Sequence, residues 1–162
     1  MSNKLTVTAP EGLPYIDFDR EFDAPVEAVF RAHQDPELLR QWMGPDGYEM
    51  DIDHHDFTDQ GSYRFVHRSP DGEEYAFRGC FHTVRANEFA IQTFEYEGMP
   101  DQVSIEFLTL TDLGEGRTAL HAHAVYPSLE ARDAMVESGM ETGASDGYDK
   151  LDELLASAST PA

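Results

Sequence analysis

Three small groups of residues have side chains that could do chemistry. The stretch "DHHDF" brings His54, His55 and Asp56 together, and "LHAHA" puts His121 and His123 on one face of a strand, because strand side chains alternate. Two imidazoles with a carboxylate can bind zinc. Strand His-x-His pairs also arise incidentally, and no motif names a third ligand, so no metal is expected. Such a pair is also a place for a pH response. Cys80 is the only cysteine. A nucleophilic thiol needs a nearby base and some exposure, whereas Cys80 sits mid-strand beside Gly79 and reads as a plain thiol. There is no Gly-rich phosphate loop and no nucleophile elbow. No spacing of Ser and His singles out a triad. No catalytic residue is assigned, and no cofactor is expected.

Arg20 is the sharper oddity. In "YIDFDREF", Ile16, Phe18 and Phe22 point one way, Asp17, Asp19 and Glu21 the other, and Arg20 falls on the apolar side. A guanidinium there must pair, reach the rim or face a polar pocket. The structural reading is an ion pair to an inward acid such as Glu95 or Glu106, or a snorkelling rim residue. The functional reading is an anchor for a ligand carboxylate or phosphate. The expected pocket walls are Trp42, Met43, Tyr48, Phe65, Phe77, Phe94, Phe107, Met140 and Tyr148, with Tyr96 and Met135 as further candidates. An apolar cavity with a few polar groups is the usual ligand site, and methionine adapts to irregular shapes. Most of these residues would serve equally well as plain core. Trp42 and Met43 are placed at the cavity mouth, with "MGPDG" after them as a loop that could gate it.

The elements that must position these residues are legible from pattern. Residues 1–14 read as a loose lead-in, 15–157 as a single domain and 158–162 as a tail. A half-buried strand over 15–22 is followed by two short helices. "DAPVEAVFRAH" carries an acid and Pro25 at its start, and "DPELLRQWM" carries Asp35 as N-cap with Pro36 in the first turn. Six strands follow, near 48–54, 61–68, 73–84, 88–97, 101–112 and 116–127, joined by the turns "SPDG", "GMPD" and "LGEG". Short turns between strands predict an antiparallel meander. One long helix begins near Ser128, with a stripe at Met140, Ala144, Tyr148, Leu151 and Leu155 that must be buried on the sheet. Within it Gly139, Gly143 and Gly147 recur four residues apart, each costing a helix interior roughly 0.5–1 kcal/mol against alanine.

Composition narrows the function classes. Lys and Arg number 11 against 32 Asp and Glu, a net charge of −21. Such a surface repels nucleic acid and anionic membrane. It is a solvating surface suited to high salt, or else a docking face for a basic partner. No apolar run approaches the length of a membrane span, and the N-terminus lacks a signal-peptide core, so a cytoplasmic protein is expected.

"REFDAPVEAVFRAHQDPELLRQWMGPDG", "GSYRFVHRSPDGEEYAFRGCFHTV" and "SLEARDAMVESGMETGASDGYDKLDELLA" resemble, in order and spacing, the activator of heat-shock-protein-90 ATPase-like family of the START-like (SRPBCC) superfamily. The likeness covers roughly residues 15 to 156. It implies an α+β helix-grip fold, also seen in the birch-pollen allergen: a curved seven-stranded antiparallel sheet around a long C-terminal helix, with a cavity between them. The small residues at Gly139, Gly143, Ala144 and Gly147 would then let the helix approach the sheet closely or bend over its rim.

Three functions follow. The first is a binding module for a small apolar or amphipathic molecule, without chemistry. The second is a cyclase- or aromatase-type enzyme, with Arg20, Tyr48, His67 and His121 as polar candidates; such enzymes shape a reactive chain with few catalytic groups. The third is a co-chaperone stimulating the heat-shock-protein-90 ATPase, which would show an exposed apolar patch rimmed by charge. The first is preferred.

Overall fold

A computed structural model describes residues 3–159 of the chain. Strand β1 (Thr6–Thr8) is followed by β2 (Tyr15–Phe22), then by helices α1 (Val26–Gln34) and α2 (Pro36–Trp42). Six strands come next: β3 (Glu49–His55), β4 (Ser62–Arg68), β5 (Glu74–Arg85), β6 (Phe89–Tyr96), β7 (Ser104–Gly114) and β8 (Arg117–Val125). Helices α3 (Leu129–Glu137) and α4 (Met140–Ser159) complete the described chain. All strands pair antiparallel in one sheet of order β1-β2-β8-β7-β6-β5-β4-β3.

The structure differs from expectation at both ends of the chain. The sheet has eight strands instead of seven, because Thr6–Thr8 of the supposed loose lead-in pairs along β2, with Val7 opposite Phe18. Three residues at a sheet edge bury too little to leave a periodic signal. The long helix is two helices. Ser128 caps α3, its hydroxyl accepting from Ala131 N at 3.1 Å, and Gly139 breaks the run at φ +82°, a left-handed conformation that glycine adopts without penalty. Of the tail expected over 158–162, α4 takes in residues to Ser159 and 160–162 lie outside the described residues.

The helix starts follow local chemistry. Asp35 accepts from Glu37 N at 2.9 Å, and Pro36 occupies the first turn of α2. Side chains turned to the concave face by β2, β6, β7 and β8 meet α1, α2 and α4. Phe22, Ala90, Leu110 and Leu120 are buried in one cluster with Val29, Phe30, Trp42, Leu151 and Leu155. Burying each large apolar side chain there is worth about 1.5–3 kcal/mol.

Gly143 and Gly147 face the loop after α2 instead of the sheet. A Cβ on Gly143 would lie 3.2 Å from Pro45 Cγ, and one on Gly147 would lie 3.0 Å from the Trp42 carbonyl oxygen and 3.3 Å from Gly44 N. The spacing of four puts both on one helix stripe, and the loop lies on that stripe. Lys150 Nζ donates to Pro45 O at 3.4 Å and Asp46 N to Asp146 Oδ2 at 3.2 Å, which tie the loop to the same helix.

Candidate functional site

The sheet register sets which side chains face α4. One row across the concave face reads Ile16, Ala124, Glu106, Gln92 and Phe81 through β2, β8, β7, β6 and β5. The next reads Phe18, Ala122, Leu108 and Ala90. Ile16, Ala124, Phe81 and Ala90 are fully buried. Phe18, Ala122, Leu108, Glu106 and Gln92 are only half-buried, as are Phe94 and Phe77 beside them. The two phenylalanine rings stack at 5.2 Å.

Glu106 is the polar centre of this patch and was missed as a site residue. No hydrogen bond or ion pair reaches it from the described residues. Burial alone pushes its carboxyl up to about 7, because the ionised form loses water and gains no counter-charge. Its charge acts on three phenols: Tyr148 of α4, Tyr63 of β4 and Tyr126 just after β8. All three are raised by burial first and by Glu106 second. The Tyr63 hydroxyl donates to Thr93 O at 2.6 Å and receives Gln92 Nε2 at 3.3 Å. Gly79 leaves the room for that phenol.

Arg20 is also turned inward, with its side chain 1% exposed. Its partners come from α4: Asp149 Oδ1 at 2.9 Å and Asp152 Oδ2 at 3.4 Å. Neither Glu95 nor Glu106 pairs with it. Glu95 lies on the outer face, where it accepts from Arg78 Nε and Asp101 N, each at 2.7 Å. Arg20 thus clamps the terminal helix to β2, and only its Nε lacks a partner.

The other expected wall residues divide. Trp42 is not at a mouth. It is 3% exposed, donates its indole N–H to Ala32 O at 3.0 Å and stacks on Tyr148 at 5.8 Å, so it is core. Met43 packs half-buried against that core. Phe107 points away from the concave side: it pairs with outward His123 and is 37% exposed. Tyr148, Phe77 and Phe94 belong to the half-buried patch or its cover, and Met140 is half-buried at the start of α4. Phe65, Tyr48 and His67 form a neighbouring cluster, with ring distances from His67 of 4.9 Å to Phe65 and 6.5 Å to Tyr48. His67 is buried with Nε2 unpartnered, and desolvation holds it neutral, at about 4.

The histidines considered for metal lie elsewhere. His121 Nδ1 is 2.7 Å from Asp19 Oδ1 and His123 Nδ1 is 2.6 Å from Asp17 Oδ1, all on the outer face. His55 Nε2 sits 2.9 Å from His33 O. Among the described residues no group of three or more His, Cys, Asp or Glu is arranged to hold a metal ion. No helix among them is long and apolar enough to cross a membrane.

Glu106 lines neither of two clefts that open on the surface. One of about 390 Å³ lies between the β6–β7 turn and α3, lined by Met99, Pro100, Gln102, Ser128 and Ala134 among others. The other, about 450 Å³, is on the outer face around Arg64, Arg78, Cys80 and Val103.

An eight-stranded antiparallel sheet carrying a terminal helix on its concave face, with a half-buried polar centre between them, defines a START-like protein. Residues 23–156 match the family described as "Activator of Hsp90 ATPase homolog 1-like protein", and the chain belongs to that family. A protein from Arthrobacter aurescens, solved by NMR, is similar at 26% identity and TM-score 0.86, over 94% of this chain and 91% of that one. A Rhodobacter sphaeroides protein is similar at 27% identity and TM-score 0.86, over 95% and 99%. DynU16, from the dynemicin biosynthetic locus, shares the fold at 20% identity and TM-score 0.67, over 90% of this chain and 48% of its own. No curated protein matches the chain in sequence.

Proposed function

We propose that the chain binds a small hydrophobic or amphipathic molecule between α4 and the concave face of the sheet. One observation carries the reading. Apolar side chains turned inward by β2, β7, β6 and β5 (Phe18, Leu108, Phe94 and Phe77) stay half-buried on the face that carries an unpartnered carboxyl, while Leu110 and Leu120 on the α1 side, and Ile16, Ala124 and Phe81 in the row of Glu106, are sealed. A packed core seals such positions. Partial exposure beneath a covering helix fits a space that another molecule fills. The site residues on this reading are Glu106, Gln92, Phe94, Phe77, Leu108 and Tyr148.

Thermal unfolding against a panel of lipids, polyketides and flavonoids tests it. A ligand at 100 times its dissociation constant adds about 2.7 kcal/mol, a shift of a few degrees for a domain of this size. A reproducible shift from one chemical class is expected. No shift from any class would count against the reading.

A second reading is a cyclase-type enzyme. The observation favouring it is Glu106, a carboxyl poised near neutral whose charge acts on the phenols of Tyr63 and Tyr148. Turnover of a polyketide substrate that vanishes in Glu106→Gln would favour it over simple binding.

A further inference from the structure

The half-buried patch has one strong chemical bias. Its single formal charge is Glu106, and that charge has no protein partner among the described residues. The charged groups facing it from neighbouring elements do not supply one. Tyr63, Tyr126 and Tyr148 are neutral phenols, and Arg20 of β2 is already held by Asp149 and Asp152 of α4. An ionised carboxylate left without a counter-charge in such a place is costly. Apart from the neutral amide of Gln92, the remaining walls are aromatic or aliphatic: Phe18, Phe77, Phe94, Leu108 and Tyr148. Aromatic faces attract cations, and a carboxylate with aromatic neighbours suits an ammonium group carried on an apolar body.

We infer that the molecule held beneath α4 is an amphipathic amine, whose ammonium group pairs with Glu106 while its apolar body packs on Phe94, Phe77 and Leu108. The inference rests on the binding reading above and names the ligand class. The rest of the molecule agrees with it. A chain of net charge −21 gathers cations and repels fatty acids and other anionic amphiphiles. Arg20, the inward cation that would recognise an anionic ligand, is occupied by two aspartates.

Proton linkage gives the amine a signature that a neutral ligand lacks. The ammonium group binds the ionised carboxylate, so a proton on Glu106 competes with it. Burial has lifted that carboxyl to about 7. Affinity therefore rises with pH up to that value and is level above it until the amine itself loses its proton. Well below it, affinity falls towards tenfold per pH unit.

The test uses matched probes on two bodies: phenylbutylamine, phenylbutanol and phenylbutyrate, and the corresponding octyl compounds. Calorimetric titration is run on the wild-type chain and on Glu106→Gln, at pH 8 and pH 6, in enough salt to screen the acidic surface. The amines are expected to bind one per chain and at least tenfold more tightly than the alcohols at pH 8, and to lose most of that advantage at pH 6. Glu106→Gln is expected to bind the amines no better than it binds the alcohols. Near-ultraviolet circular dichroism of the variant checks that it is folded, and Glu106→Asp gives a second variant that keeps the charge and so part of the amine preference. Alcohols binding as tightly as amines in the wild type would overturn the inference and leave the binding reading standing. Equal amine binding by wild type and Glu106→Gln would place the amines on surface acids and overturn it too. Failure of all six probes would overturn the inference together with the reading beneath it.

Discussion

At the α1 end of the concave face, Phe22, Leu110 and Leu120 meet Val29, Leu151 and Leu155 with almost no accessible surface. In the middle of the same face, side chains of similar size and chemistry remain half-buried: Phe18, Leu108, Phe94 and Phe77. The two regions also treat charge differently. Arg20, beside the sealed end, is neutralised by two aspartates from α4, whereas Glu106 in the middle has no partner among the described residues. Residue type therefore does not separate the sealed end from the half-buried middle. What separates them is whether α4 and α1 complete the packing.

The largest test of that contrast is cavity-making substitution in each region. Phe22→Ala should cost about 3–5 kcal/mol in chemical denaturation. Phe94→Ala should cost about 1–2 kcal/mol, because its surroundings are already incompletely packed. Equal losses would erase the distinction.

The charge contrast is sharpened by Glu106→Gln. The native carboxyl is raised from 4.5 to about 7, so the folded chain holds this proton more tightly than the unfolded one. The stability that Glu106 allows is therefore fully present below about pH 4.5, declines as pH rises through 7, and stays reduced above. Removing the charge should stabilise the chain by about 1–3 kcal/mol at pH 8, with the gain fading towards pH 5. A gain that is absent, or independent of pH, would mean Glu106 is solvated like a surface acid.

Arg20 offers the converse. Arg20→Ala loses both the helix clamp and the packed stem, at about 2 kcal/mol, whereas Arg20→Met keeps the stem and should cost about half as much. Thermal melts giving equal losses would show that the clamp, and not packing, is what matters at this position. The smallest effect is at Gly147. Alanine gains helix propensity of roughly 1 kcal/mol but pushes on the backbone of Trp42 and Gly44. A net loss of about 1 kcal/mol is expected, and a net gain would show the loop free to yield.

Much of the fold was legible because it rests on local signals. The Asp35–Pro36 start, the "SPDG" turn and the alternation of "YIDFDREF" all appear in the structure where their chemistry puts them. Arg20 was correctly placed on the apolar side, but its partners on α4 lie 129 and 132 residues away and no local pattern names them. β7 shows why the site itself was obscure. Ile105 and Phe107 occupy one parity of "SIEFLTLT", and Leu108 and Leu110 the other. Both faces look apolar, so the sequence offers the adjacent Glu106 and Phe107, of opposite parity, as inward at once; the structure turns Glu106 inward and Phe107 outward. The apolar residues on the outer face of β7 hid which parity faces in. The break at Gly139 was equally hidden, because a left-handed residue leaves the helical stripe on either side intact.

The central claim is that the middle of the concave face, and not the packed end or the outer surface, receives the ligand. It is tested most directly by assigning the amide and methyl resonances and titrating the chain with phenylbutylamine and phenylbutanol. The account predicts shift changes concentrated at Phe94, Glu106, Leu108, Ala122 and Tyr148, with Phe22, Leu120 and the outer-face Ile105 and Phe107 undisturbed. Changes confined to the outer face or to the α3 cleft, or no saturable change anywhere, would contradict it.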